Sequence, residues 1–158
     1  MNRIPLMTVM ALLAGSALAQ GAASPPAPAS AAAAPAAATA TAPAAGAEVY
    51  FIAPRNGEKL HGPVTVKFGL KGMGVAPAGV KFDNTGHHHL LVDTDFSELK
   101  LDAALPATDK ILHFGKGQTE TVLTLAPGRH TLEIVFADFA HRSFDPPLHS
   151  KKITITVE

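Results

Sequence analysis

Val64-Thr65-Val66-Lys67-Phe68-Gly69-Leu70 alternates apolar residues with polar or small ones. Successive side chains of a β-strand point to opposite faces. The pattern therefore puts Val64, Val66, Phe68 and Leu70 on a buried face and turns Thr65 and Lys67 to solvent. The same period returns in Leu132, Ile134 and Phe136, and again in Ile153, Ile155 and Val157 with Thr154 and Thr156 between them. Leu90 and Val92 share one face of a further strand, and Leu91 lies on the other.

Working outward, strands are predicted over 49–52, 63–71, 87–93, 119–125, 129–138 and 150–157. Asn56-Gly57 and Ala126-Pro127-Gly128 are turn signals between them. Residues 94–118 form a long excursion with a helical turn around 96–100 and a turn at Gly115-Lys116-Gly117. Pro146-Pro147 falls in a loop. No helix of ten or more residues is expected. The pattern predicts an all-β domain, an antiparallel immunoglobulin-like β-sandwich of about seven strands, with a small barrel as the alternative. In the sandwich, strands 87–93, 129–138 and 150–157 share a sheet, and 63–71 pairs with 119–125.

The folded domain is expected over 48–158. Residues 1–19 read as a signal peptide. Arg3 supplies a short positive region, Ile4 to Leu13 an apolar stretch, and Ala17-Leu18-Ala19 a cleavage motif. The apolar run is shorter than the roughly 20 residues of a membrane-spanning helix. Residues 20–47 are almost wholly Ala, Pro, Ser, Thr and Gly, without a charge. Their prolines interrupt the helix that the alanines favour, so a disordered linker is expected. These features together predict a periplasmic or secreted protein with no transmembrane segment after cleavage.

The chain has no cysteine. That excludes disulfides, thiolate metal sites and a cysteine nucleophile. Lys and Arg number 13, one of them Arg3, and Asp and Glu number 13. The domain is thus near neutral and has no basic patch suited to nucleic acid. A monomer is expected.

The chain has eight histidines, and all lie beyond residue 60. In the proposed topology His87, His88 and His89 open one strand, Asp138 and His141 follow the end of its neighbour, His149 precedes the last strand, and His113 precedes strand 119–125. All of these fall at one end of the sandwich, with Asp145. His61 and His130 fall at the other. Imidazole nitrogens with a carboxylate are a ligand set for Cu²⁺ or Zn²⁺. Alternation puts His87 and His89 on one face and His88 on the other. His88 is then either a ligand or an inward-pointing residue bonded to neighbouring loops. His113 is either a ligand or an anchor for the excursion, and Asp138 either a ligand or a turn cap. No H-E-x-x-H, nucleophile elbow or phosphate loop is present. An enzyme would have to work through a metal-bound water, so a non-enzymatic protein is expected.

Several stretches resemble one bacterial family of exported domains: Pro63 to Gly79, Thr85 to Asp93, His113 to Thr121, Pro127 to Leu132, and Asp145-Pro146-Pro147. The family is catalogued as a domain of unknown function, DUF 4399. The resemblance covers about residues 50–158. It implies an exported single domain and supplies no reaction. It draws attention to the matching positions Gly86, His87, His88, His89, His113, Gly117, Gln118, Thr119, His130, Asp138 and His141.

The expected function is a periplasmic binding domain. It holds a divalent metal, copper or zinc, through His87, His88, His89, His113, Asp138 and His141. The alternative is an envelope structural or interaction module, with a partner protein in place of the metal and the histidines in a hydrogen-bonded loop network.

Overall fold

A computed structural model describes residues 40–158 of the chain. The signal-peptide region and most of the linker lie outside the described residues. Ten strands follow in order: β1 (Glu48–Ala53), β2 (Lys59–Leu60), β3 (Val64–Lys71), β4 (Gly74–Val75), β5 (Thr85–Val92), β6 (Ile111–Phe114), β7 (Glu120–Leu123), β8 (Gly128–Ala137), β9 (Ser143–His149) and β10 (Ile153–Val157). One turn of 3₁₀-helix, Phe96–Glu98, interrupts the excursion. Among the described residues, no helix is long and apolar enough to cross a membrane.

The domain is an all-β sandwich. A three-stranded sheet, β1-β3-β7, faces a seven-stranded one ordered β2-β10-β8-β5-β4, with β6 also pairing β5 and β9 also pairing β8. The alternating residues supply the layer between the sheets. Val49, Val64, Val66 and Phe68 meet Leu90, Leu132, Ile134, Phe136 and Ile155 there, all buried. Burying each such side chain is worth roughly 1.5–3 kcal/mol.

The larger sheet is covered on its outer face too. The excursion between β5 and β6 folds back so that Leu105, Phe96 and Leu99 pack on Leu91, Val135, Ala137 and Ile111. Leu91 therefore has a second, smaller core beneath it. At the other end of the chain, the last linker residues lie against the domain. The Asp145 N–H donates to the Thr41 carbonyl at 3.0 Å, and Ala47 packs on the main core.

Two glycines set how closely elements approach. Gly86 opens the histidine run on β5 beside β8. A Cβ there would fall 2.2 Å from the Ala137 carbonyl oxygen and 2.9 Å from the Phe136 ring. On the outer face of the small sheet Tyr50 pairs with Gly69. Its ring lies across the glycine so closely that a Cβ at 69 would be 2.3 Å from Cε2.

Candidate metal centre

The period-two rule divides the histidine run. His87 and His89 point to the outer face of the larger sheet, and His88 points into the sandwich. The three residues are fully buried. His113 on β6 is the direct cross-strand partner of His89, which places the two side chains on the same face about 5 Å apart. His141 arrives from the β8–β9 turn, in a left-handed conformation with φ 64°.

Four rings therefore converge: His87, His89, His113 and His141. The centroid of His87 lies 4.9 Å from that of His89, 5.0 Å from His113 and 4.9 Å from His141. His113 and His141 are 4.8 Å apart, and His89 and His141 5.9 Å. The Nε2 atoms of His87 and His89 are separated by 3.1 Å, and those of His113 and His141 also by 3.1 Å. One ring nitrogen from each of His87, His113 and His141 falls within 4.8 Å of the others.

Those distances bear on coordination. Two imidazole nitrogens bound to one ion at about 2.0–2.1 Å stand about 3.3 Å apart in a tetrahedron and about 2.9 Å apart as neighbours in a square. A separation of 3.1 Å lies between the two. Three of the rings, His87, His89 and His113, are also held toward the protonation state a ligand needs. Burial above all, and then the neighbouring histidines, pushes His87 down to about 4 and His89 to about 3. Burial and His141 lower His113 as well. Neutral imidazoles keep a free lone pair at neutral pH.

Hydrogen bonding alone does not complete the group. The Nδ1 atoms of His87 and His89 are buried and have no hydrogen-bond partner. Each neutral ring has one N–H and one lone pair. If one Nε2 donates to the other, a buried N–H or lone pair on Nδ1 is left over however the protons are assigned.

Asp138 and His88 do not join the converging rings. The Asp138 carboxylate accepts the backbone N–H groups of Ala140 at 2.8 Å and Arg142 at 2.9 Å, while the His141 N–H donates to the Asp138 carbonyl at 3.0 Å. Short side chains that fold back on the chain in this way stabilise turns. Asp138 thus fixes the turn that presents His141. His88 packs between Phe68, whose ring is tilted to it, and Phe136, which it meets edge-on, with ring centroids 4.9 and 5.0 Å away. Burial lowers it to about 4, against a weaker opposing pull from the Gln118 backbone. That backbone lies near the ring without aligning for a bond, since neither ring nitrogen has a hydrogen-bond partner.

The remaining histidines are elsewhere. His149 stands on β9 opposite Val135, bonds the buried Glu133 at 2.7 Å and stacks on Phe96. His130 bonds Asp93 at 2.7 Å and the Ala126 carbonyl at 2.9 Å. The Asp93 hydrogen bond, helped by Ala126, holds it above its ordinary pKa. His61 sits beside the Glu158 carboxylate at 3.7 Å.

Two supports carried no clear sequence signal. Gly115 was legible only as a turn residue, yet a Cβ there would fall 2.2 Å from His113 Cε1. The ring occupies the space that a side chain would need. Leu105 carries no signal beyond its apolar side chain, yet its N–H donates to the His141 carbonyl at 2.8 Å and ties the excursion to the site.

The family described as a domain of unknown function (DUF4399) matches residues 66–158, and the chain belongs to it. No curated protein matches. Two solved structures are similar. One is an endo-β-1,4-mannanase from Thermotoga petrophila, 16% identical with a TM-score of 0.41; the match covers 71% of this chain and 20% of that one. The other is a set of fibronectin(III)-like modules of CbhA from Clostridium thermocellum, 13% identical with a TM-score of 0.33, covering 69% of this chain and 92% of that one.

Proposed function

We propose that this member of the family is an exported, non-enzymatic domain that binds one divalent metal ion, Cu²⁺ or Zn²⁺. The ligands are His87, His89, His113 and His141, and the protein buffers or delivers the ion in the periplasm. The observation that carries this reading is that His87, His113 and His141 each bring a ring nitrogen within 4.8 Å of the others, with Nε2···Nε2 separations of 3.1 Å from His87 to His89 and from His113 to His141. Nitrogen donors without thiolates suit both ions, and raw affinity in such sets favours copper. Asp138 serves as the support for His141, and His88 as a core residue.

A second reading rests on the same distances. Each 3.1 Å contact also fits an N–H···N bond between neutral rings. The group would then be a structural network in an envelope interaction module.

Calorimetry separates the two. The full chain is purified without a histidine tag, stripped with chelator and titrated with Cu²⁺ and Zn²⁺. One tight site per chain, lost in the His87→Ala/His89→Ala double variant, is expected. Weak binding at several sites, with no rise in melting temperature, overturns the metal reading and leaves the structural one.

A further inference from the structure

Resting on that metal reading, we propose that the centre is an exchange site with an anchoring half and an opening half. His87 and His89 retain the ion. His113 and His141 release it to an incoming nitrogen or carboxylate donor from solution.

The two halves differ in burial, mounting and support. His87 and His89 are inaccessible to solvent. They sit on β5, which is paired with β6 on one side and β8 on the other. His113 is exposed and His141 half-buried. His113 stands one residue before the end of β6, next to the Gly115–Gly117 turn, and His141 hangs from the turn built by Asp138. A solvent-borne donor can therefore reach the ion only from the His113–His141 side.

The chemistry favours exchange over permanent retention. Metal-bound histidines are usually clamped through their second ring nitrogen, and losing that clamp costs about 10–100-fold in affinity. Here the second nitrogens of His87 and His89 have no hydrogen-bond partner, so the site as a whole holds its ion less tightly than a clamped one, and these two rings are the anchor only through their burial on a strand paired on both sides. No carboxylate joins the converging group among the described residues, so a bound divalent ion keeps its charge and attracts an anionic donor. The step is a ligand substitution. A lone pair of the donor forms a bond to the ion as the His113 or His141 nitrogen leaves it. No proton or electron need move, because the departing imidazole is neutral and the ion keeps its oxidation state.

The test uses the full chain loaded with Cu²⁺ as the probe and free histidine as the competitor. Transfer is followed by stopped-flow absorbance. In the wild type the transfer rate should rise with competitor concentration. His113→Ala should still bind one Cu²⁺ but release it faster, by about 10–100-fold, the range seen when ligand support is lost. Gly115→Ala should do the same without removing any ligand, because its Cβ displaces the His113 ring. His87→Ala should lose the tight site. A rate independent of competitor concentration overturns the proposal. So does His113→Ala abolishing binding while its circular dichroism is unchanged, or Gly115→Ala leaving the rate as it was. If His87→Ala does not fold, the His113 and Gly115 variants decide alone. A wild type that takes up no Cu²⁺ overturns the metal reading itself, whereas the other failures overturn only the exchange route.

Discussion

The Nε2 atoms of His113 and His141 stand 3.1 Å apart although the residues are 28 positions apart in sequence. Both the end of β6 and the β8–β9 turn must hold still for that contact to exist. The turn carrying His141 depends on a single carboxylate, which accepts the N–H groups of Ala140 and Arg142. Asp138→Ala should leave these groups unsatisfied and cost about 1–3 kcal/mol. It should also weaken Cu²⁺ binding by about tenfold, as the loss of ligand support does elsewhere. Asp138→Asn keeps a carbonyl acceptor and should keep most of both. Urea unfolding and calorimetry report the two effects. Unchanged affinity in the alanine variant would remove Asp138 from its positioning role.

His88 behaves as a core residue. Its ring packs against Phe68 and Phe136 and its nitrogens lack hydrogen-bond partners. Replacing a buried, unsatisfied polar group by an apolar one of similar size is near neutral or stabilising. His88→Leu should therefore change stability by no more than about 1 kcal/mol and leave metal stoichiometry intact. Loss of the metal site in this variant would show that His88 is a ligand after all.

Acid should destabilise the metal-free protein. In the unfolded chain an imidazole takes its proton near pH 6.5. Folded, His87 and His88 resist protonation down to about 4 and His89 down to about 3. Between these limits the unfolded state binds more protons, so stability falls as pH falls. Each ring contributes up to about 1.4 kcal/mol per pH unit. Above the unfolded value these rings add no pH dependence. Urea midpoints measured in chelator across this range check the sign, and a flat profile contradicts it.

Gly86→Ala tests the approach of β5 to β8. The added methyl would meet the Ala137 carbonyl oxygen at 2.2 Å, and backbone cannot swing aside as a flexible side chain can. The cost should be about 1–3 kcal/mol, the range for overpacked interiors. It should also disturb the His87 ring next to it. Chemical denaturation gives the first effect and Cu²⁺ affinity the second.

The framework of the sandwich was legible because alternation is a strong signal. Strands 63–71, 129–138 and 150–157 bury the residues that their period assigned, and β5, β8 and β10 share a sheet as expected. The split between His87/His89 and His88 was readable for the same reason. Four strands were not readable: β2 and β4, which have only two residues each, and β6 and β9. β6 has only four residues, too few to show a period inside a long excursion. β9 contains Pro146 and Pro147, which signal a loop. It joins the sheet through Ser143, Leu148 and His149, and the register breaks between them. Prolines are tolerated where no ladder N–H is required.

These missed strands also explain the placement of the site. Expected at one end of the sandwich, the converging rings lie on the outer face of the larger sheet, because β6 sets His113 directly beside His89. β9 carries His149 to Glu133 instead. Charge and composition held no information about either pairing.

Tyr50 and Gly69 act as one unit of side chain shared between two strands. The phenol ring occupies the room that position 69 leaves vacant, so neither residue can be altered independently. Gly69→Thr alone should be strongly destabilising, and Tyr50→Ala alone should strip cover from the glycine backbone. Made together, the two changes should cost less than the sum of the separate ones, because the second removes the obstacle met by the first. On this face, tolerance to substitution belongs to the pair.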